Sequence, residues 1–239
     1  MDGKFEVGSI RGIPLVVDAS FIILIVLWGL PWLKTGDIRD VTYALLLITG
    51  LAGSIVLHEL GHALAGRLYG VRTSHMELNG LGGLCHYASA IPAAPWPRIV
   101  MLLAGPAANL VLWLALDAAS VLLMQLDVAD FAWLPVSGFD RFSGLLWQLA
   151  QANYYMLFFN LLPAYPLDGG RTLEALIRTR THVDFARTVV GWLGLLIALG
   201  CALSMQTQGT FMLVLAFTLF EHNAFVLNSS ATPPWRRWN

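Results

Sequence analysis

The residues best able to do chemistry stand at His58-Glu59-Leu60-Gly61-His62. Side chains four apart on a helix share one face, one turn apart. Two neutral imidazoles so placed can bind one Zn²⁺, and the glutamate between them can reach a water at that metal. The implied chemistry is metal-assisted hydrolysis, with Glu59 as the base. The alternative is a polar cluster hydrogen-bonded to neighbouring helices. A catalytic zinc usually takes three protein ligands and keeps one open position. Asp168, in Pro166-Leu167-Asp168-Gly169-Gly170, is the best candidate for the third. Prolines break the chain just before it, and irregular backbone at membrane depth is tolerated only where it is buried in protein or lines a wet cavity. Taken alone, Asp168 could equally cap a short helix starting near Gly169.

The composition says what kind of elements must hold these residues. Of 239 residues, 57% are hydrophobic and 12% charged, the net charge is −1 and mean hydropathy is +0.66. A soluble domain carries roughly 25% charged residues. An ordinary soluble enzyme, a disordered chain and a nucleic-acid binder with a basic face are therefore excluded. Cys85 and Cys201 make no disulfide framework and read as small buried apolar residues. What remains is a multi-pass membrane protein of one domain, residues 1–239.

The expected fold is an all-α polytopic membrane protein with about six transmembrane helices. A small membrane-associated β-hairpin follows the second. The spans are Leu15–Leu33, Val41–Gly66, Ile99–Leu126, Phe142–Leu162, Thr188–Met205 and Phe211–Leu227. The first is the weakest, because it contains Asp18 and Pro31. No removable signal peptide is read at the N-terminus. Six spans put eleven of the 14 Lys and Arg residues on the side shared by both termini, and leave Lys34, Arg39 and Arg141 on the other. The positive-inside rule makes the first side cytoplasmic. The membrane is the cell (inner) membrane if the source is prokaryotic.

Two loops on that side stand out. In Val71–Ile91, Asn79-Gly80 is a turn signal between strand-like runs His75–Leu78 and Leu84–Tyr87. Gly82-Gly83 marks a bend or a close backbone approach. Pro163–Arg187 holds Asp168 and then a short amphipathic helix with Leu173, Leu176 and Ile177 on one face. His58 lies nine residues before Arg67, or ~13 Å along a helix. That is inside a hydrocarbon core ~30 Å thick, where an ionisable cluster is costly unless paired or metal-bound.

His58-Glu-Leu-Gly-His62, followed by Asn160-Leu-Leu-Pro163-Ala-Tyr-Pro166-Leu-Asp168-Gly169-Gly170, resembles the site-2 protease family of intramembrane zinc metalloproteases. Ala104-Gly105-Pro106-Ala-Ala-Asn109 and Leu81-Gly82-Gly83 resemble further family elements. The resemblance runs from about Gly12 to Arg171 and corresponds to a minimal form without a PDZ or nucleotide-sensing domain. It implies one Zn²⁺ per chain held by His58, His62 and Asp168, with Glu59 as catalytic base. It also implies that Asn160 helps hold the substrate backbone.

The expected activity is endopeptidase cleavage within or near transmembrane segments of membrane-anchored proteins, in regulated intramembrane proteolysis. The partners are then a transmembrane protein or peptide substrate and the lipid bilayer, with no nucleic acid. A substrate helix must unwind before attack, and the strand at Leu81–Tyr87, with Gly82 and Gly83, could pair with the unwound segment. Gln148, Gln151 and Asn153 could line a water path. Asn109 reads as a helix–helix contact more than a substrate contact. His75 and His86 read as ordinary loop histidines, with His86 a spare ligand. Glu221 and His222 read as an internal polar pair or gate. Trp235-Arg236-Arg237-Trp238 reads as an interface anchor. Two alternatives stand: a membrane metalloprotease of the prenyl-protein-processing type, with Glu221 as third ligand, or an inactive membrane chaperone or adaptor of the same fold.

Overall fold

In a computed structural model, the residues described are 3–23, 25, 37–80, 82–125, 139–204 and 210–228. The order is β1 (Lys4–Ile10), β2 (Ile13–Asp18), α1 (Ile38–Leu68), β3 (Thr73–Asn79), β4 (Gly82–Tyr87), α2 (Pro95–Gln125), α3 (Phe139–Asn160), α4 (Asp168–Ile177), α5 (Val183–Leu203) and α6 (Thr210–Asn228).

The sheet corrects the all-α expectation. The hairpin of β3 and β4 forms, but it is half of a four-stranded mixed sheet of order β1-β2-β3-β4. β1 and β2 join through Arg11 and Gly12, both at positive φ (52° and 78°), the backbone of a tight hairpin turn. β2 then runs parallel to β3, with Leu15 opposite Met76 and Val17 opposite Leu78. In the β3–β4 hairpin Asn79 pairs with Gly82. Asn79 is thus the last residue of the ladder on β3, and the turn begins at Gly80. Leu81 lies outside the described residues.

The first expected span begins wrongly. Residues 15–18 are strand β2, and helix starts only at residue 19. Asp18 accepts from the Ser20 amide at 2.8 Å and also from its hydroxyl. The hydroxyl bond first, then the amide, hold its carboxyl below the ordinary value. A charged, exposed cap belongs at a helix start, not within lipid. Residues 24 and 26–33 of that expected span, and the Trp235–Trp238 anchor, lie outside the described residues.

The other five expected spans coincide with α1, α2, α3, α5 and α6. Among the described residues, α1, α2 and α5 are long and apolar enough to cross a membrane. Their outer faces are apolar: Val111 is 66% exposed, Leu196 64% and Leu203 74%. In water such a surface would be a liability, whereas lipid chains cover it at no cost.

Sequence period decides how the sheet meets the helices. Successive strand residues point to opposite faces. Met76 and Leu78 therefore face α1 and are buried with Ile13, Phe21, Val56 and Ala63. Glu77 and His75 face the other way. α1 packs on α2, α2 on α3 and α4, and α5 on α4 and α6. The short amphipathic helix is present as α4, but Leu176 does not share its buried face. Leu173 and Ile177 pack on Tyr165, Val190 and Val226, while Leu176 is exposed. Leu173 and Ile177 lie one turn apart on one stripe, and Leu176, about 100° around the helix from Ile177, falls at its edge.

The loop before α4 is tied to the last helix. Asn223, fully buried, donates to the Tyr165 carbonyl at 2.8 Å and accepts from the Tyr165 amide at 3.2 Å. The Tyr165 hydroxyl donates to Glu174 at 3.0 Å. Replacing Asn223 with Ala should leave these buried peptide groups unpaired, at a cost of about 1–3 kcal/mol. Thermal unfolding in detergent reads this, and an unchanged midpoint contradicts the tie.

Candidate metal centre

α1 has no proline between Ile38 and Leu68, so it carries the His58–His62 turn deep within its length. His58, Glu59 and His62 are all buried. The imidazoles meet edge to face, with ring centroids 4.8 Å apart. Their Nε2 atoms are 3.1 Å apart, and each lies 3.2 Å from Asp168 Oδ2. Four-coordinate zinc with ligands at about 2.0–2.1 Å needs ligand–ligand edges of about 3.3 Å. The three atoms form a triangle close to that size.

Neighbouring helices decide which way the imidazole hydrogens point. The Ser54 hydroxyl donates to the Gly50 carbonyl at 2.9 Å. Its oxygen therefore accepts from Asn153 Nδ2, at 2.9 Å. Asn153 Oδ1 accepts from Asn109 Nδ2 at 2.8 Å. Asn109 Oδ1 is then left facing His58 Nδ1, which donates to it. His62 Nδ1 donates to the Met101 carbonyl at 2.7 Å. Both Nδ1 hydrogens point outward, so both Nε2 lone pairs face each other and a carboxylate. Such a set is repulsive by itself and attractive around a cation. The donors present thus fit a zinc ion.

Asp168 is the first residue of α4 rather than its cap. Leu167 holds the cap position and makes no side-chain cap bond. The carboxylate is free to turn to the imidazoles, and a negative charge suits a helix N-terminus. Two glycines let backbone approach. A Cβ on Gly105 would lie 2.6 Å from His58 Nε2, so α2 can press on the imidazole pair only at a glycine. A Cβ on Gly83 would lie 2.6 Å from Glu59 Oε1 and 2.8 Å from Ile55 Cγ2. β4 therefore lies directly against Glu59. Among the described strands β4 is an edge of the sheet.

Several candidate residues fall elsewhere. Asn160 ends α3 and donates to the Met156 carbonyl of its own helix at 3.0 Å. It is not part of the triangle. Gly82, at φ 131°, lies at the turn end of β4, while Gly83 touches Glu59. Asn153 does not line a water path, because it is fully buried and its amide is committed to Ser54, Asn109 and the Leu149 carbonyl. Glu221 is exposed on α6 and outside the group, so the structure does not favour it as the third ligand. His222 Nδ1 bonds the Thr218 carbonyl of α6. His75 and His86 are strand residues paired with each other, not loop residues, and His86 does not join the triangle. Burial, then the Glu59 charge, push the Cys85 thiol up to about 12, which leaves it unreactive. Asn109 is the residue whose part the sequence hid. Its polarity inside an apolar span was visible, but its partner His58 is 51 positions away.

Comparison with known proteins adds an independent observation. A profile of peptidase family M50 matches residues 46–132, which include the His58–His62 turn and Asn109. Rip2 of Mycobacterium tuberculosis, named as a candidate zinc metalloprotease, is 30% identical over 188 residues, covering 64% of this chain and 67% of that protein. The chain belongs to peptidase family M50. A zinc metalloprotease of Methanocaldococcus jannaschii is 32% identical over 178 residues, covering 74% of this chain and 46% of that one. A Synechocystis protein, also named as a candidate zinc metalloprotease, is 29% identical and covers 94% of this chain and 59% of its own length. The chain thus spans about half the length of these last two relatives. The solved site-2 protease from Methanocaldococcus jannaschii has the same fold, with a TM-score of 0.66 over 96% of this chain and 97% of that one, at 23% identity. Family membership and three apolar helices make this a membrane protein of peptidase family M50.

Outward partners of metal-bound imidazoles usually matter about 10–100-fold to metal affinity. Asn109→Ala should weaken zinc binding within that range without removing a ligand. Competition with a calibrated zinc chelator measures this, and an unchanged affinity would show that Asn109 does not set the orientation of His58.

Proposed function

We propose that this chain is a zinc-dependent endopeptidase that cuts peptide bonds within or beside the membrane segments of membrane-anchored proteins. The observation that carries the reading is the triangle of two inward Nε2 lone pairs, on a helix apolar enough to cross a membrane, and the Asp168 carboxylate of α4, all beside buried Glu59. Relatives named as zinc metalloproteases support it. The reading includes six spans with both termini cytoplasmic, supported by the bias of basic residues toward that side. It also includes a place in regulated intramembrane proteolysis.

His58, His62 and Asp168 would hold a zinc ion, which when bound would supply Lewis acidity toward a water and the scissile carbonyl. Glu59 takes one proton from that water as its oxygen bonds to the carbonyl carbon. The same carboxyl then gives the proton to the departing nitrogen as the carbon–nitrogen bond breaks. The products are a new carboxylic acid and a new amine, and the acid's remaining proton passes to the amine to leave a carboxylate and an ammonium. Burial of Glu59 beneath β4 keeps bulk water from competing for that proton.

A substrate helix hides its carbonyls in internal hydrogen bonds, and freed backbone groups in lipid are expensive. The edge strand β4 offers backbone groups to an unwound segment, and Gly83 places that edge beside Glu59. Asn160 at the end of α3 is the proposed further contact to the substrate backbone, after rotation of its amide away from Met156.

Two measurements test this. Zinc per chain should be close to one at the centre in wild type and Glu59→Gln, and much reduced in Asp168→Ala. Cleavage of a membrane peptide should be lost in both variants. Full cleavage by Glu59→Gln would remove the proposed base, and undiminished zinc in Asp168→Ala would remove the third ligand. A second measurement compares target helices. Peptides with Gly or Pro near the cut should be cleaved faster than a leucine-only helix of equal length. Equal rates would sink the unwinding and strand-pairing step.

A further inference from the structure

The sheet face turned away from α1 carries a second convergence of ligand atoms, independent of the first. His75 and His86 are direct cross-strand partners on β3 and β4. Glu77 stands two residues along β3 from His75 and so shares its face. The two imidazoles stack with centroids 4.1 Å apart and planes 11° from parallel. Both Nε2 atoms turn toward one carboxylate oxygen. Glu77 Oε2 lies 3.2 Å from His86 Nε2 and 3.9 Å from His75 Nε2. One ligand atom from each of the three lies within 4.8 Å of the others. We propose that His75, Glu77 and His86 form a second binding site, for a divalent transition-metal ion of the zinc class.

Ser74 supports this through the hydrogen it controls. Its hydroxyl has one proton, donated to the His86 carbonyl at 3.1 Å. The oxygen must then accept from His75 Nδ1, 3.0 Å away. In neutral His75 the lone pair therefore sits on Nε2, the atom that faces Glu77. An outward Nδ1–H with an inward Nε2 is the arrangement found in histidines that hold metals. Two imidazoles and one carboxylate are a sufficient protein set for zinc, with open positions left for water. Glu77 and His86 are buried while His75 is partly open, so an ion has a route in from the His75 side.

Lys4 is the built-in competitor. Its ammonium sits 2.7 Å from the same Glu77 oxygen, and its side chain is 40% exposed. The ammonium balances the buried carboxylate when no metal is there. An entering dication takes over that oxygen, and Lys4 swings into water. A bound ion would tie β3 to β4 at the His75–His86 pair. β4 is the strand whose other face presses Gly83 on Glu59.

The test is metal stoichiometry on the purified full chain in detergent, with Zn²⁺ and with Co²⁺ as a visible probe. Wild type should take two equivalents. A variant with His58→Ala and His62→Ala should keep one, and adding His75→Gln and His86→Gln to it should remove that one. Lys4→Met should tighten the second equivalent several-fold, because the competing ammonium is gone. If the paired replacement does not fold, His75→Gln alone should weaken the second equivalent and spare the first. A wild type that takes one equivalent, lost with His58 and His62, would overturn the proposal. So would a second equivalent that survives loss of His75 and His86, or one indifferent to Lys4→Met.

Discussion

Three electron-rich atoms held about 3 Å apart inside an apolar helix bundle repel one another unless a positive charge sits among them. His58 Nε2, His62 Nε2 and Asp168 Oδ2 are such a set. Much of the described architecture keeps them there. The Ser54–Asn153–Asn109 relay and the Met101 carbonyl take the outward imidazole hydrogens and stop either ring from rotating to relieve the repulsion. A polar relay crossing three helices is expensive to bury, and it is tolerated because each donor in it has an acceptor.

The helices around that set are fitted to it at closely spaced points. α2 approaches at Gly105, where any side chain would collide with the imidazoles. Asp168 arrives from the other half of the chain on the first turn of α4. Asn223 of α6 fixes the loop before it by bonding both backbone groups of Tyr165. The carboxylate is therefore positioned by the last helix as well as by its own. The sheet adds a fourth wall, because Gly83 lets β4 lie on Glu59. One strand pair thus has two chemically different faces. Met76 and Leu78 pack against α1, while the opposite face gathers His75, Glu77 and His86.

The strands were harder to read in the sequence than the helices. Apolar runs of about 20 residues announce membrane helices because the bilayer sets their length; five of the six expected runs overlap helices, α1, α2, α3, α5 and α6, and α1, α2 and α5 are long and apolar enough to cross a membrane. Leu15–Val17 looked like the start of another such run. An apolar strand of that length and the end of an apolar helix have the same composition, and only pairing with β1 and β3 separates them. Likewise His75 and His86 fell in the two strand-like runs of one interhelical loop, but the register that makes them direct neighbours is a property of the folded hairpin.

The sequence alone determined the membrane character of the chain, the His58–Glu59–His62 turn and the candidacy of Asp168. Those features are local: composition, a spacing of four on one helix, and a Pro- and Gly-marked break in an apolar run. Tertiary structure decided the rest. It brought Asp168 to the histidines across 110 positions, made Asn109 the partner of His58, put β4 on Glu59 and left Glu221 outside. Each of these is a contact between segments far apart in the chain. No periodicity or propensity encodes such a contact, because it arises only when the helices and the sheet pack together.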